Sequence, residues 1–483
     1  MRDRHRWAYG LLLGAMLTGC VVGPDATRPD MPLPEQFSPA DAWVSTHDAA
    51  PPADAEFWKT FDDPLLVRSV EEALAANHDL RIALARFDQA NALLRGARFD
   101  QIPTITATGS ASDARNGAAT APSVPGADRD VESYELGIAS EWEFDLFGRI
   151  RRNVEAREAE FTASAADLQA LQVVIASEVA RTYLELRGHQ ERLRVAQDNA
   201  ENQRETLRIV TAGLAVGRGT QFDLSRARAQ LEGTLARVPA FEAAVSMNMH
   251  RLAVLSGRMP DELTAELAPQ VPLPLLPERI DAATPGDVLR RRPDVIAAEQ
   301  RLHAATARIG VAAADLYPRF TLAGLLGTRA IDSSALFEGD SETRLVALGI
   351  DWSFLDRGRV HARIAAADAE ASGALAAYQK TVIEAVEDTE NALVRYARAR
   401  VEDQHLERAA FDSEQAAEIA RVRFEAGAAS LLEVLDAERT QLQAQDSFAA
   451  ARTRSATAAI ELYEALAGGW PSRVPLRERA SAR

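Results

Sequence analysis

The stretch Tyr134-Glu135-Leu136-Gly137-Ile138-Ala139-Ser140-Glu141-Trp142-Glu143-Phe144-Asp145-Leu146-Phe147-Gly148-Arg149 ends one periodicity and opens another. The even positions from Tyr134 to Leu146 hold Tyr, Leu, Ile, Ser, Trp, Phe and Leu, while Glu135, Glu141, Glu143 and Asp145 fall on odd positions. Successive side chains of a strand point to opposite faces, so the segment predicts a strand with one oily and one acidic face. Beyond Arg149 the chain runs past Ala212 without a proline. Leu168, Leu171, Ile175, Val179, Tyr183 and Leu186 recur there at spacings of three and four, as the packed stripe of a helix requires. Such a helix, of some sixty residues, would reach roughly 90 Å. It must lie along partners, as a coiled coil or a helical barrel.

The unit is written twice. Asp79-Leu80 through Pro103 matches Asp294-Val295 through Pro318 at an offset of 215, with Ala90, Ala92 and Ala97 on Ala305, Ala307 and Ala312. Trp142, Phe144, Gly148 and Arg149 match Trp352, Phe354, Gly358 and Arg359 at an offset of 210, and Gly217 matches Gly427 at the same offset. In the second copy Val346, Leu348, Ile350, Trp352 and Phe354 oppose Gly349, Asp351 and Ser353. Each strand has a forerunner after the helix-ending proline, Thr104 to Ser110 and Arg319 to Leu326. Loops Ala111 to Asp130 and Gly327 to Thr343 separate the two strands of each pair and read as hairpin connections. A second long helix is expected from Val360 to Phe424. Glycine-marked turns, Gly213 to Gly219 and Ala426 to Ala429, lead to return helices Phe222 to Ser256 and Leu431 to Ala467. The two hairpins supply four strands, whereas closed single-chain membrane barrels need about eight. Alternation of this kind also fits the edge of a soluble sandwich.

The 483-residue chain is acidic, with a formal net charge of −17 and only two lysines, Lys59 and Lys380. A negative chain repels phosphate backbones, which argues against nucleic acid as a partner. Arg2, Arg4 and Arg6 precede an apolar run from Trp7 to Leu17, a signal-peptide pattern too short to span a bilayer. The run ends in Leu17-Thr18-Gly19-Cys20, and Cys20 is the sole cysteine. This resembles the lipobox of bacterial lipoproteins, in which cleavage precedes a cysteine that carries diacylglycerol and an N-acyl group. Loss of residues 1–19 would leave a net charge of −19, and Val21 in place of aspartate favours export to the outer membrane. The expected division is 1–19 signal peptide, 20–62 lipid-anchored segment, 63–270 first repeat, 271–286 proline-rich linker, 287–470 second repeat and 471–483 tail.

Arg291-Arg292-Pro293-Asp294-Val295-Ile296-Ala297-Ala298-Glu299, followed by Ala304-Ala305, Ile309-Gly310 and Leu316-Tyr317-Pro318, resembles the signature of the TolC-like outer membrane factor family in its OprM/NodT-like lipoprotein branch. Cys20-Val21-Val22-Gly23-Pro24, Trp142 through Gly148, and Gly468-Gly469-Trp470 extend the resemblance over nearly the whole mature chain. It implies a mainly α fold with a β-barrel part: a homotrimer in which three protomers give four strands each to a twelve-stranded outer-membrane barrel, continued by an α-helical barrel through the periplasm. Closure of that kind removes lipid-exposed strand edges. It also implies a periplasmic adaptor and an inner-membrane pump, of RND type, as partners in expelling drugs, metals or other small solutes across the Gram-negative envelope.

By the same resemblance the conduit closes at the periplasmic helix tips. Asp223 aligns with the acidic residue after the first turn, and Glu433 and Asp436 with carboxylates that ring the entrance. Phe424 stands at the place of an aromatic gate residue, where it fits a hydrophobic plug and plain core equally well. Three-fold symmetry turns one carboxylate into a ring of three, able to bind cations and set selectivity. This chain departs from the family in carrying Ala428 and Ala429 where an arginine latches to the neighbouring aspartate. That puts the salt-bridge latch in doubt, with Arg218 the available substitute. Eight histidines lack metal-ligand spacing and Gly217-Arg218-Gly219 has no Rossmann context, so neither an enzyme nor a metal site nor a further cofactor is expected. The competing reading is a periplasmic adaptor or structural coiled-coil lipoprotein, which would show one helical hairpin flanked by unlike β domains.

Overall fold

The structure is a computed structural model that describes residues 21–35, 37, 44–45, 56–117, 119, 125, 129–276, 280–281 and 284–466. The signal segment 1–19, Cys20, Gly468-Gly469-Trp470 and the tail 471–483 lie outside the described residues. In chain order the elements are β1 (Val44–Ser45), a 3-10 turn (Phe57–Phe61), α1 (Pro64–Ala76), α2 (His78–Phe99), β2 (Thr104–Arg115), β3 (Asp130–Phe144) and α3 (Arg149–Ala215). There follow α4 (Gln221–Leu235), α5 (Val238–Leu255), α6 (Thr264–Leu267), β4 (Ile280–Asp281), α7 (Pro285–Arg291) and α8 (Pro293–Ala314). The chain continues with β5 (Arg319–Ala330), β6 (Glu342–Asp351), α9 (Arg357–Glu425) and α10 (Leu431–Ala465). The long helices α3 and α9 have 67 and 69 residues, each roughly 100 Å at the α-helical rise.

Several boundaries differ from the sequence reading. The first return helix is two helices, because Pro239 falls in the first turn of α5. Its ring lacks an N–H and cannot continue α4. The strands shift at both ends: β2 continues to Arg115, β3 begins at Asp130 and β5 continues to Ala330, whereas β3 ends at Phe144, before Leu146, and β6 at Asp351, before Trp352 and Phe354. Registered pairing extends a strand where its own side-chain pattern fades, as with Arg115 opposite Asp130. Of the stretch 271–286, residues 271–276 form neither helix nor strand, and β4 and the start of α7 also fall within it.

The described residues divide into two compact units that cut across the repeats. The first takes residues from Met1–Asp30, Arg86–Ala165 and Ala297–Gln379. Its sheet is antiparallel in the order β2-β3-β5-β6. The register places Ile105, Ile138 and Leu326 on one face with Trp142, Leu322 and Leu348, because directly opposed residues share a face. The other face carries Thr104, Thr106, Thr108, Glu135, Glu141, Thr321 and Thr343. Trp142 and Trp352 close the oily face equivalently: each indole donates to a carbonyl two residues before the helix-ending proline, Gln101 O at 3.2 Å and Leu316 O at 3.0 Å. The strand-to-helix corner into α3 turns at Gly148, φ +83°, where a Cβ would come within 3.0 Å of Val21. Asp145 accepts from the Ile150 and Arg151 amides and so caps the helix.

Segment 21–25 is docked in this unit. Val22 N donates to Phe147 O at 3.2 Å, and buried Arg152 donates to Val22 O, Gly23 O and the Asp25 carboxylate. Gly23 and Gly310 meet backbone to backbone, with a Cβ on Gly23 only 2.4 Å from Gly310 Cα.

The second unit takes residues from Met31–Ala85, Ala166–Ile296 and Lys380–Arg483. Phe57, Trp58 and Phe61 are buried in it, and Phe57 stacks on Tyr463 of α10 at 5.1 Å. The expected anchor segment 20–62 is therefore partly core. Asp63 caps α1 with one carboxylate oxygen and accepts the Tyr183 hydroxyl at 2.6 Å with the other. Burial, with that hydrogen bond, raises the Tyr183 hydroxyl well above the ordinary phenol range. Gly188 of α3 lets α10 approach closely, since a Cβ there would strike Thr453. Among the described residues no helix is long and apolar enough to cross a membrane.

Candidate entrance gate at the helix turns

Two turns in the second unit hold the residues expected to gate the conduit, and they are built identically. α3 ends with Arg218 N donating to Gly213 O (2.8 Å) and Gly217 N to Leu214 O (3.1 Å). α9 ends with Ala428 N donating to Arg423 O (2.8 Å) and Gly427 N to Phe424 O (2.9 Å). This pair of bonds is the Schellman closure of a helix C-terminus, and it needs the left-handed residue that Gly217 (φ +76°) and Gly427 (φ +73°) supply. The following helices start with capping boxes. Asp223 N donates to Thr220 Oγ1 at 3.1 Å while Thr220 N donates to Asp223 Oδ2 at 3.1 Å. Glu433 N donates to Ser430 Oγ at 3.4 Å while Ser430 N donates to Glu433 Oε1 at 3.1 Å.

Asp223 and Glu433 thus have an internal task that the sequence reading missed. The signal was visible, since Thr220-x-x-Asp223 and Ser430-x-x-Glu433 are capping-box spacings before apolar runs. Hydrogen bonds from Ser430, with a smaller effect of nearby Arg423, hold the Glu433 carboxyl below its ordinary range. Asp436 is exposed and accepts from Arg439 at 2.5 Å. Phe424 is half-buried and lines a cavity of about 120 Å³ with Thr206, Ile209, Arg421 and Val434. At the alanines that replace the expected latch, Arg423 donates to Ala428 O at 3.3 Å. Arg218 makes the closing backbone bond of its own turn, and its side chain is exposed.

Behind the turns, Val210 of α3, Leu224 and Ala227 of α4 and Leu435 of α10 form one apolar cluster, joined by Leu207, Leu214 and Leu431. One turn further along α10 the packing becomes polar. Glu438, 2% exposed, accepts from Thr206 Oγ1 at 2.8 Å. The Arg421 guanidinium lies 3.9 Å away, outside hydrogen-bond reach. Burial pushes the Glu438 carboxyl up, against the opposing effects of Thr206 and Arg421. Sequence reasoning missed Glu438, although Val434, Glu438, Gln441 and Gln445 share the three-and-four spacing of a packed stripe. Among the described residues no group of three His, Cys, Asp or Glu is placed to hold a metal.

A family profile described as "Outer membrane efflux protein" matches residues 69–258 and 284–468, well over half of the chain. The chain belongs to the outer membrane efflux protein family. It is 31% identical to outer membrane protein OprJ of Pseudomonas aeruginosa, over 97% of each chain. It is 30% identical to Nodulation protein T of Rhizobium leguminosarum bv. trifolii, over 90% of this chain and 91% of that one. Among solved structures it superposes on the outer-membrane channel OprN with a TM-score of 0.85 at 39% identity, over 93% of this chain and 100% of that one. As an outer-membrane efflux protein it is the channel component of an efflux system, with a mainly α fold that includes a β-barrel part. The matched segments flank the proline-rich stretch, one on each repeat.

Proposed function

We propose that three copies of this chain close into one duct, anchored at Cys20 by lipid, through which an inner-membrane pump of RND type and a periplasmic adaptor discharge small molecules. The open sheet carries this reading. β2 and β6 are its edges, and a lipid-facing edge with unpaired N–H and C=O groups is untenable. Pairing β6 of one copy with β2 of the next removes every edge, and three copies give twelve strands. The exposed face of α9 supports the same closure. Ile383, Val394, Phe411, Ile419 and Val422 are each more than half exposed in the single chain, and neighbouring copies would cover them.

At the helix turns Asp436, exposed and free of any capping bond, is the carboxylate best placed to form a ring at the entrance. Asp223 and Glu433 shape the turns that carry it. Val22 and Gly23, the described residues that follow the lipidation motif, dock near Gly148 at the strand-to-helix corner.

Cysteines placed on β2 and on β6, with Cys20 retained because its lipidated sulfur would offer no free thiol, test closure. Oxidation in membranes should give a covalent ladder that stops at three chains, whereas a ladder ending at two, or running past three, would overturn the proposed assembly.

A further inference from the structure

The residues behind the second turn do something that those behind the first do not. Glu438 on α10 is almost fully enclosed where α3 and α9 meet it. Its Oε1 has one neutral donor, the Thr206 hydroxyl, and its Oε2 has no partner. The Gln203 amide beside this seam is likewise buried without partners, and Arg421 Nε is buried and unbonded. Of the elements packed here, α9 supplies the charge that acts on Glu438, Arg421, while α3 presents Thr206 and α4 meets α10 through Leu224 and Ala227 around Leu435. A carboxylate with one neutral hydrogen bond in such a place is poorly compensated, whereas the neutral acid is tolerated. In the first repeat the corresponding residue is Arg228, which is exposed, so the duplication itself does not account for a buried acid.

We propose that Glu438 is a positioning residue of the entrance, holding the start of α10 against α3 and α9 while it is protonated and loosening that contact when it ionises. This rests on the reading of the two turns as the entrance. The Ser430 capping box and Asp436 lie on the first two turns of α10, so a shift of α10 at Glu438 carries the carboxylate ring with it. The sign follows from burial. Ionisation is resisted more in the closed packing than in an opened, solvated one, so closed-state stability is full in acid and is lost as pH rises through the raised titration range. The entrance is therefore tight at low pH and loosens toward neutral and above.

The experiment is single-channel recording of the full-length assembly in planar bilayers, with pH varied on the helix-tip side, for the wild type, Glu438→Gln and Asp436→Asn. The wild type should show a roughly tenfold rise in the open-to-closed ratio across the titration. Glu438→Gln, which keeps the shape and the Thr206 hydrogen bond, should stay in the tight state at every pH. Hydrogen exchange of residues 431–442 should show the same pH step in the wild type and lose it in Glu438→Gln, a response that a merely structural role would not give. A pH step that persists in Glu438→Gln, while Asp436→Asn alters conductance, overturns the role of Glu438 and leaves the entrance reading standing. Conductance indifferent to both substitutions and to pH overturns the entrance reading, and this inference with it.

Discussion

The two turns share one backbone design and differ in what lies behind them. Each uses a left-handed glycine to close a long helix and a Ser or Thr box to open the next. Behind the first, α4 buries Leu224, Ala227 and Leu231, with Thr234 the one buried polar residue, its hydroxyl bonded within its own helix. Behind the second, α10 buries Val434 and Leu435 but also Glu438 and Gln441. Apolar packing is non-directional and indifferent to pH, so the packing of α4 should not respond to pH. The second seam depends on a few directed bonds and on one proton, and such a seam can be opened at modest cost. Duplication supplied two equal hairpins, and divergence of one stripe made one of them responsive.

Swapping the character of the two seams should exchange their behaviour. Leu231→Glu places an uncompensated carboxylate in the first seam and should cost about 4 kcal/mol, read as a marked fall in the thermal midpoint of the solubilised protein. Leu224→Ala should cost about 3 kcal/mol by leaving a cavity in the cluster with Val210 and Leu435. Ser430→Ala and Thr220→Ala should each cost about 1 kcal/mol, and by the same amount, because the motif is the same; unequal losses would show that the turns are not equivalent. Glu438→Leu reverses the expectation for a core change. It should leave the midpoint unchanged or raise it, since an apolar residue of similar volume replaces a poorly compensated acid. Asp436→Asn gives up only an exposed pair with Arg439 and should move stability by less than about 0.5 kcal/mol. Its effect belongs in conductance, and a large stability loss would reassign Asp436 to the fold.

Much of the fold is legible in the amino-acid sequence. The two-faced strand, the duplication and the proline-free run after Arg149 depend on periodicity, which survives in a linear text. What escapes such a reading depends on long-range partners. The extension of β2 to Arg115 needs Asp130 opposite it. The burial of Phe57, Trp58 and Phe61 needs Tyr463, some four hundred residues away along the chain. Glu438 reads as one acid among many until α3 and α9 close over it. The capping role of Asp223 and Glu433 is hidden for a different reason: its spacing is present in the sequence, but the resemblance to gate carboxylates masks it.

Three copies of the chain are proposed to make one conduit. The most direct measurement is the mass of the detergent-solubilised full-length protein, followed by single-channel recording of that same fraction in planar bilayers. A three-chain mass with discrete, repeatable conductance steps is the predicted result. A single-chain mass, or a three-chain particle that inserts without ever conducting, would contradict it.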